Sequence, residues 1–547
     1  MTSEQSLITT DNAKWLDRGV FGKLLLIIVL SGLIRATAIK EIGIDHFDAG
    51  AYAESALAVR DSANALFPKQ HFLSPPVFFG LAGSLSQATG IAIDQSLSWV
   101  SAFFGTLGIL VVFLIGRSWI GPREGLFAAS VVGLSAHHVV LSRCGLTDAT
   151  FCTLFILALW LHTMAHRRNS LWLTIAAGLA VGLAWNTKYH GWLAGVIAAA
   201  ATLPDFICGS RLVRRQILVR HGLATLIAMA CYAPWFLHIC QMDGGYGALA
   251  AEHRRFLGDA GRFLSHAGRH LESWRFFDKP IAHFGFLAGL LFITPGNGRK
   301  RLFLIVALFA MSFFASSAAV VVGLALIGMM AAIRGGEWRR LAWPIAFFGL
   351  FFVLTPLYRP YNRLAIPLLL AAAVLAPTGV QFLGEAMRLR AKLTGALIIG
   401  VAIALGAMMD GEAKPAATIY GKTDGMRAAA RRIATELTDE SIRGTVYVVG
   451  EPPAVHYLRE AGINAIAVDE MDTVTERPTT LVFGIYATRT PSNRGFLNRN
   501  KDKITVVSEE TVVVSDIRLL DDFSPAEARG IRERGEKPHR LAAYRLK

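Results

Sequence analysis

The sequence predicts an all-α polytopic membrane domain of about thirteen transmembrane helices followed by a small α/β domain. Three observations carry this. The 547 residues are 53% hydrophobic and only 17% charged, whereas soluble domains carry about 25% charged residues. The charge lies mostly after Asp410 and in short clusters between apolar runs. Those runs approach the roughly 20 residues that a helix needs to cross a hydrocarbon core about 30 Å thick. Lipid offers no partner to an open strand or loop, so the runs must be helices.

The predicted spans are 20–39, 96–116, 124–141, 148–165, 171–187, 189–204, 222–240, 281–296, 302–315, 316–333, 341–357, 364–384 and 393–409. Lys14, Arg18 and Lys23 precede the first, and no small-residue cleavage site follows it cleanly. It therefore reads as a helix that stays, not as a signal peptide. Every second loop is then basic: Arg117 and Arg123; Arg167 and Arg168; Arg211, Arg214, Arg215 and Arg220; Arg299, Lys300 and Arg301; Arg334, Arg339 and Arg340; Arg388, Arg390 and Lys392. Short basic loops stay in the cytoplasm. The expectation is an integral inner or plasma membrane protein with a cytoplasmic N-terminus and an extracytoplasmic C-terminal domain. The division falls at 1–410 and 411–547.

In the second part, Thr445 to Val449, Ile463 to Val468, Thr480 to Tyr486 and Ile504 to Val514 read as strands, and Ala454 to Ala461 as a helix. Gly450-Glu451-Pro452-Pro453 reads as a tight turn from strand to helix.

The net charge of +15 does not imply a nucleic-acid partner, because the cations are dispersed through alternate loops. Five cysteines, all in or beside apolar segments, make no disulfide framework.

Chemistry is to be sought in the outer loops. Asp45 and Asp48 follow the first span. A carboxylate there would serve as a general base or bind a divalent cation such as Mg or Mn, or Asp48 would simply begin a helix. Arg359 and Arg363, with Tyr358 and Tyr361 beside them, sit at the mouth of two late helices. Guanidinium groups grip phosphate in two-pronged fashion, and the same residues would also suit an interfacial belt. Lys188 lies between two spans, and an ionisable residue at that depth is a functional candidate. Arg143 and Asp148 are placed to pair across a helix junction, and His71 has no evident metal-ligand spacing. The loop 241–280, rich in Arg and His, reads as a basic amphipathic helix on the membrane or as an anion site.

Five segments, in order, resemble motifs of the protein O-mannosyltransferase and aminoarabinose lipid A transferase superfamily, whose fold is called GT-C. They are Asp48-Ala49-Gly50-Ala51-Tyr52-Ala53-Glu54-Ser55-Ala56; His71-Phe72-Leu73-Ser74-Pro75-Pro76-Val77; Ser142-Arg143-Cys144-Gly145-Leu146-Thr147-Asp148; Gly182-Leu183-Ala184-Trp185-Asn186-Thr187-Lys188-Tyr189; and Arg359-Pro360-Tyr361-Asn362-Arg363-Leu364-Ala365-Ile366-Pro367. The resemblance covers roughly 20–410. It departs at Ala49, where the family has Glu beside the Asp, which places the weight on Asp48 alone.

The resemblance implies a membrane glycosyltransferase that moves a sugar from a polyprenyl-phosphate carrier to an acceptor glycan, lipid or protein. Asp48 would be the catalytic carboxylate with Asp45 as its understudy. Arg359, Arg363, Tyr358 and Lys188 would hold the donor phosphate, supported by His71, Arg143 and Asp148. No cofactor is certain. The rival readings are a secondary transporter and a flippase or scaffold. A transporter predicts related halves with broken helices, and no half-to-half repeat is seen.

Overall fold

The computed structural model describes residues 18–387 and 425–546, interrupted by short stretches of which 62–73, 472–479 and most of 513–538 are the longest. The predicted span 393–409 and the division at 410/411 lie outside the described residues.

Each of the other predicted spans meets helix. Among the described residues, six helical stretches are long and apolar enough to cross a membrane: Arg18–Glu41, Ile93–Trp119, Asp148–Arg168, Arg211–Cys240, Ser317–Arg334 and Arg363–Ala386. Shorter apolar helices cover Leu171–Trp185, Leu193–Cys208, Pro280–Ile293, Arg301–Ala315 and Ala342–Leu357. The chain is an integral membrane protein.

The expected single span 124–141 is two helices, Pro122–Leu134 and Ala136–Leu141. Ser135 breaks it, because its ψ of 125° leaves the helical region. The helix Arg211–Cys240 begins well before the predicted 222, where the Ser210 hydroxyl accepts from the Val213 N–H and so caps an otherwise unsatisfied donor. The loop 241–280 holds two helices, Gly245–Arg254 and Phe263–Phe277. In the second, His266, His270 and Trp274 are buried, a stripe at helical spacing. His266 Nδ1 donates to the Pro356 carbonyl at 3.0 Å. That face therefore packs on protein, and the helix does not simply lie on lipid.

Beyond 425 the chain forms a helix, Gly425–Asp439, and a five-stranded sheet of order β2-β1-β3-β5-β4. The strands are β1 (Val446–Val449), β2 (Ala465–Val468), β3 (Thr480–Phe483), β4 (Ile504–Val512) and β5 (His539–Leu546). β2, β1 and β3 run parallel, and β5 is antiparallel to both β3 and β4. The helix Pro452–Glu460 links β1 to β2, the crossover that parallel neighbours require. β3 is buried along its whole length, as a central strand covered on both faces should be. Four predicted strands and one helix match these elements. Gly425–Asp439 and β5 were not predicted.

This domain docks on the segment after the first helix. A Cβ added to Gly50 would stand 2.3 Å from the Pro453 backbone nitrogen. Glycine at position 50 permits that close approach of Phe47–Asp61 to Pro452–Glu460.

Candidate active site

The helix Phe47–Asp61 carries Asp48 in its first turn, where exposed N–H groups favour a negative charge. Tyr52 lies one turn further on, the spacing that puts two side chains on one face. The Tyr52 ring meets Phe78 edge-on at 5.7 Å, and its hydroxyl lies near the Thr147 side chain.

Arg363 reaches the same place from the far end of the sequence. It sits in a short 3-10 turn, Asn362–Ala365, that opens the helix Ile366–Met387. Its guanidinium lies 2.6 Å from the Asp48 carboxylate. The two side chains are 17% and 22% exposed, so the pair is mostly buried without being sealed off. Burial pushes the Asp48 carboxyl upward, but Arg363, His46 and Lys188 outweigh it and hold the group below its ordinary 3.8. The His46 ring nitrogen Nδ1 accepts from the Asp48 N–H at 3.1 Å. Burial and the Asp48 charge both push the Tyr52 hydroxyl upward, so Tyr52 is a neutral hydrogen-bonding group.

Lys188 follows the helix Leu171–Trp185 and is ion-paired with Asp148 at 2.5 Å. Asp148 is thus the partner of Lys188 and not of Arg143, correcting the pairing expected from their spacing. Arg143 donates instead to the Thr37 carbonyl at 2.5 Å. Asp148 begins the helix Asp148–Arg168 and is almost fully buried. It needs a cation, and Lys188 supplies one.

The Pro-Pro turn completes the assembly. The Ser74 hydroxyl donates to the Thr187 carbonyl at 3.2 Å, and the Val77 N–H to the Asn186 carbonyl at 2.9 Å. The five motif segments therefore converge: the first pairs with the fifth through Asp48 and Arg363 and meets the third through Tyr52 and Thr147. The third pairs with the fourth through Asp148 and Lys188, and the fourth holds the second.

Tyr358 lies at the end of Ala342–Leu357, bridged to Leu257. The 241–280 loop thus borders the Arg363 turn. His71 and Arg359 lie outside the described residues.

Asp45 is elsewhere. It is buried, with its carboxylate 2.9 Å from Arg518, which also grips Glu451. Its charge is committed to the C-terminal domain, and Asp48 alone faces the convergence of motifs. Among the described residues, no three His, Cys, Asp or Glu side chains gather as a metal site.

Tyr52, His46 and Thr147 were missed in the sequence as site residues, although Tyr52 and Thr147 stand inside the quoted motifs. The i, i+4 spacing of Asp48 and Tyr52 was the available signal.

Residues 74–238 match the model of the family described as dolichyl-phosphate-mannose-protein mannosyltransferase. An undecaprenyl phosphate-alpha-4-amino-4-deoxy-L-arabinose arabinosyl transferase of Pseudomonas savastanoi pv. phaseolicola is 28% identical over 242 residues, 41% of this chain and 42% of that protein. A second protein of that name, numbered 1, from Pseudomonas fluorescens is 30% identical over 177 residues, 30% of this chain and 31% of that protein. The chain thus spans less than half the length of either relative. The solved oligosaccharyltransferase AglB of Archaeoglobus fulgidus, in complex with an inhibitory peptide and a dolichol-phosphate, has the same fold. The TM-score is 0.52 at 15% identity, covering 87% of this chain and 70% of that one. In its motifs, its family match over residues 74–238 and its fold, the chain is similar to the GT-C glycosyltransferases.

Proposed function

We propose that this protein transfers a sugar from a polyprenyl-phosphate donor to an acceptor hydroxyl or amine, with Asp48 as general base. The observation that carries the proposal is the Asp48–Arg363 pair, 2.6 Å apart and partly exposed, with the cation Lys188 close enough to act on Asp48. A carboxylate to act as base, with cations beside it to hold the phosphate, is what this transfer needs. The names of the two Pseudomonas relatives support the donor class, and the dolichol-phosphate bound by the archaeal enzyme agrees with it.

The donor phosphate competes with Asp48 for Arg363 and draws the guanidinium toward itself. Asp48, released from its partner, takes the proton from the acceptor. The acceptor oxygen or nitrogen bonds the anomeric carbon as the bond from that carbon to the phosphate oxygen breaks. The electron pair leaves with the polyprenyl phosphate, whose charge Arg363 and Lys188 stabilise. Tyr358 and Arg359 complete the phosphate site proposed from the sequence, with Arg143 and His71 in support. With Asp48 as base and not nucleophile, the anomeric centre inverts.

About thirteen crossings, with basic loops in the cytoplasm, put the N-terminus inside and residues 411–547 outside. The site then faces the outer surface, and the donor enters laterally from the bilayer. The acceptor is a glycan, lipid or protein of the cell envelope.

The test is reconstitution of the full chain in lipid with a labelled pool of polyprenyl-phosphate sugars and an envelope extract. Label leaving the carrier for an acceptor supports the reading. Label remaining on every carrier offered contradicts it.

A further inference from the structure

We propose that the C-terminal domain fixes the segment bearing Asp48, and that Arg518 and Tyr457 are positioning residues for the transfer. This rests on the function proposed above.

The segment 42–46 is neither helix nor strand, so its backbone groups must find partners elsewhere. They find them in the C-terminal domain. The Ile44 N–H donates to the Tyr457 hydroxyl at 2.7 Å. The Asp45 carbonyl accepts from Arg518 Nε. The Ile42 carbonyl accepts from Arg427 at 3.4 Å. These partners are 385 to 473 residues away in sequence, whereas local bonds hold the ends of the segment, the Ile42 N–H donating to the Ile39 carbonyl and the Gly50 N–H to the His46 carbonyl, each at 3.2 Å.

The side chains are tied as firmly. Arg518 is fully buried between the carboxylates of Asp45 and Glu451. Tyr457 is also buried, and its hydroxyl donates to Asp94 at 3.2 Å. Asp94, at the start of Ile93–Trp119, pairs with Arg427 as well. A buried cation between two carboxylates makes a poor case as a source of stability alone, because desolvation offsets much of the attraction. It does impose direction, since each guanidinium N–H meets its acceptor along one line. Three residues after Asp45 stands Asp48. A segment free to shift by about 1 Å would displace the base from its acceptor, an error that costs on the order of 100-fold in rate.

The donor phosphate site, by contrast, is built from Arg363 and Lys188, neither of them on the C-terminal domain. Loosening the clamp therefore lowers kcat and, because Asp48 competes with the phosphate for Arg363, does not raise donor KM.

Tyr457→Phe and Arg518→Lys are the variants to make in the full chain in lipid. Tyr457→Phe keeps the buried ring and removes only the hydroxyl; Arg518→Lys keeps the charge and loses the fork. Both are expected to lower kcat by about tenfold or more without raising donor KM. Amide exchange at 42–46 is expected to speed up in both. Normal kcat in both variants overturns the proposal. So does wild-type exchange at 42–46, and that readout needs no activity. If wild type transfers no sugar, the functional reading fails separately, and exchange at 42–46 still decides whether the domain holds the segment.

Discussion

The carboxylate of Asp48 and the guanidinium of Arg363 meet at 2.6 Å, although 315 residues separate them in the sequence (363 − 48). The base and the anion-binding cation of the proposed reaction neutralise each other while no donor is present. Binding of a phosphate at Arg363 is then coupled to release of the base.

That coupling predicts a pH effect. Asp48 sits below its ordinary 3.8 mainly because Arg363 overcomes the burial penalty. The free enzyme therefore keeps its base ionised down to about pH 4, and the acid limb of kcat/KM lies below that. In Arg363→Gln, burial is opposed only by the remaining cations, and the limb moves to higher pH. Donor KM rises by about tenfold or more, as expected for loss of a charge-assisted contact. A pH profile of kcat/KM for both proteins checks the shift; an unmoved limb contradicts the coupling.

The same pair has a sign in stability. A carboxylate with a depressed folded pKa stabilises the fold above its unfolded value and loses that contribution as pH falls through the folded one. Thermal midpoints of wild type and Asp48→Asn should therefore differ most above about pH 4 and converge below it. A constant difference would show that Asp48 is not held as the anion.

The pairing of Lys188 with Asp148 and its part in donor binding can be tested separately. Lys188→Met leaves Asp148 buried without its cation, a change worth about 3–5 kcal/mol. Lys188→Met with Asp148→Asn removes the orphaned charge and should recover most of the thermal midpoint. If Lys188 also contacts the phosphate, donor KM remains raised in the double variant. Recovery of both quantities would make Lys188 purely structural.

Gly50 tests the docking of the two domains. The Pro453 nitrogen stands 2.3 Å from where a Cβ would be, so Gly50→Ala must push the helices apart. Overpacking of this kind costs about 1–3 kcal/mol. Faster amide exchange in 452–460 and a lower thermal midpoint are expected, with donor KM unchanged. A wild-type midpoint would show that the interface yields freely.

Much of this was legible in the chain itself. Apolar length and alternating basic loops located the helices, because a bilayer allows few other solutions. Strand composition located β1 to β4, and the order of five short motifs pointed to Asp48, Arg363 and Lys188. What stayed hidden was pairing at a distance. Nothing in the spacing of Arg143 and Asp148 reveals that Lys188, 40 residues on, takes the carboxylate. Nothing local marks Arg518 as the partner of Asp45. The Ser135 break was missed because Ser is an ordinary residue in an apolar run and carries no Pro or Gly signal. β5 was missed because His539-Arg540 begins a strand whose apolar character starts only at Leu541.

The most direct test of the central claim is the rate of sugar transfer from a labelled polyprenyl-phosphate donor by wild type and Asp48→Asn, each reconstituted in lipid and shown to be folded. Loss of the general base predicts a fall in kcat of about 10²–10⁴-fold, with the donor still bound. Equal rates in the two proteins would contradict the account and take Asp48 out of the chemistry.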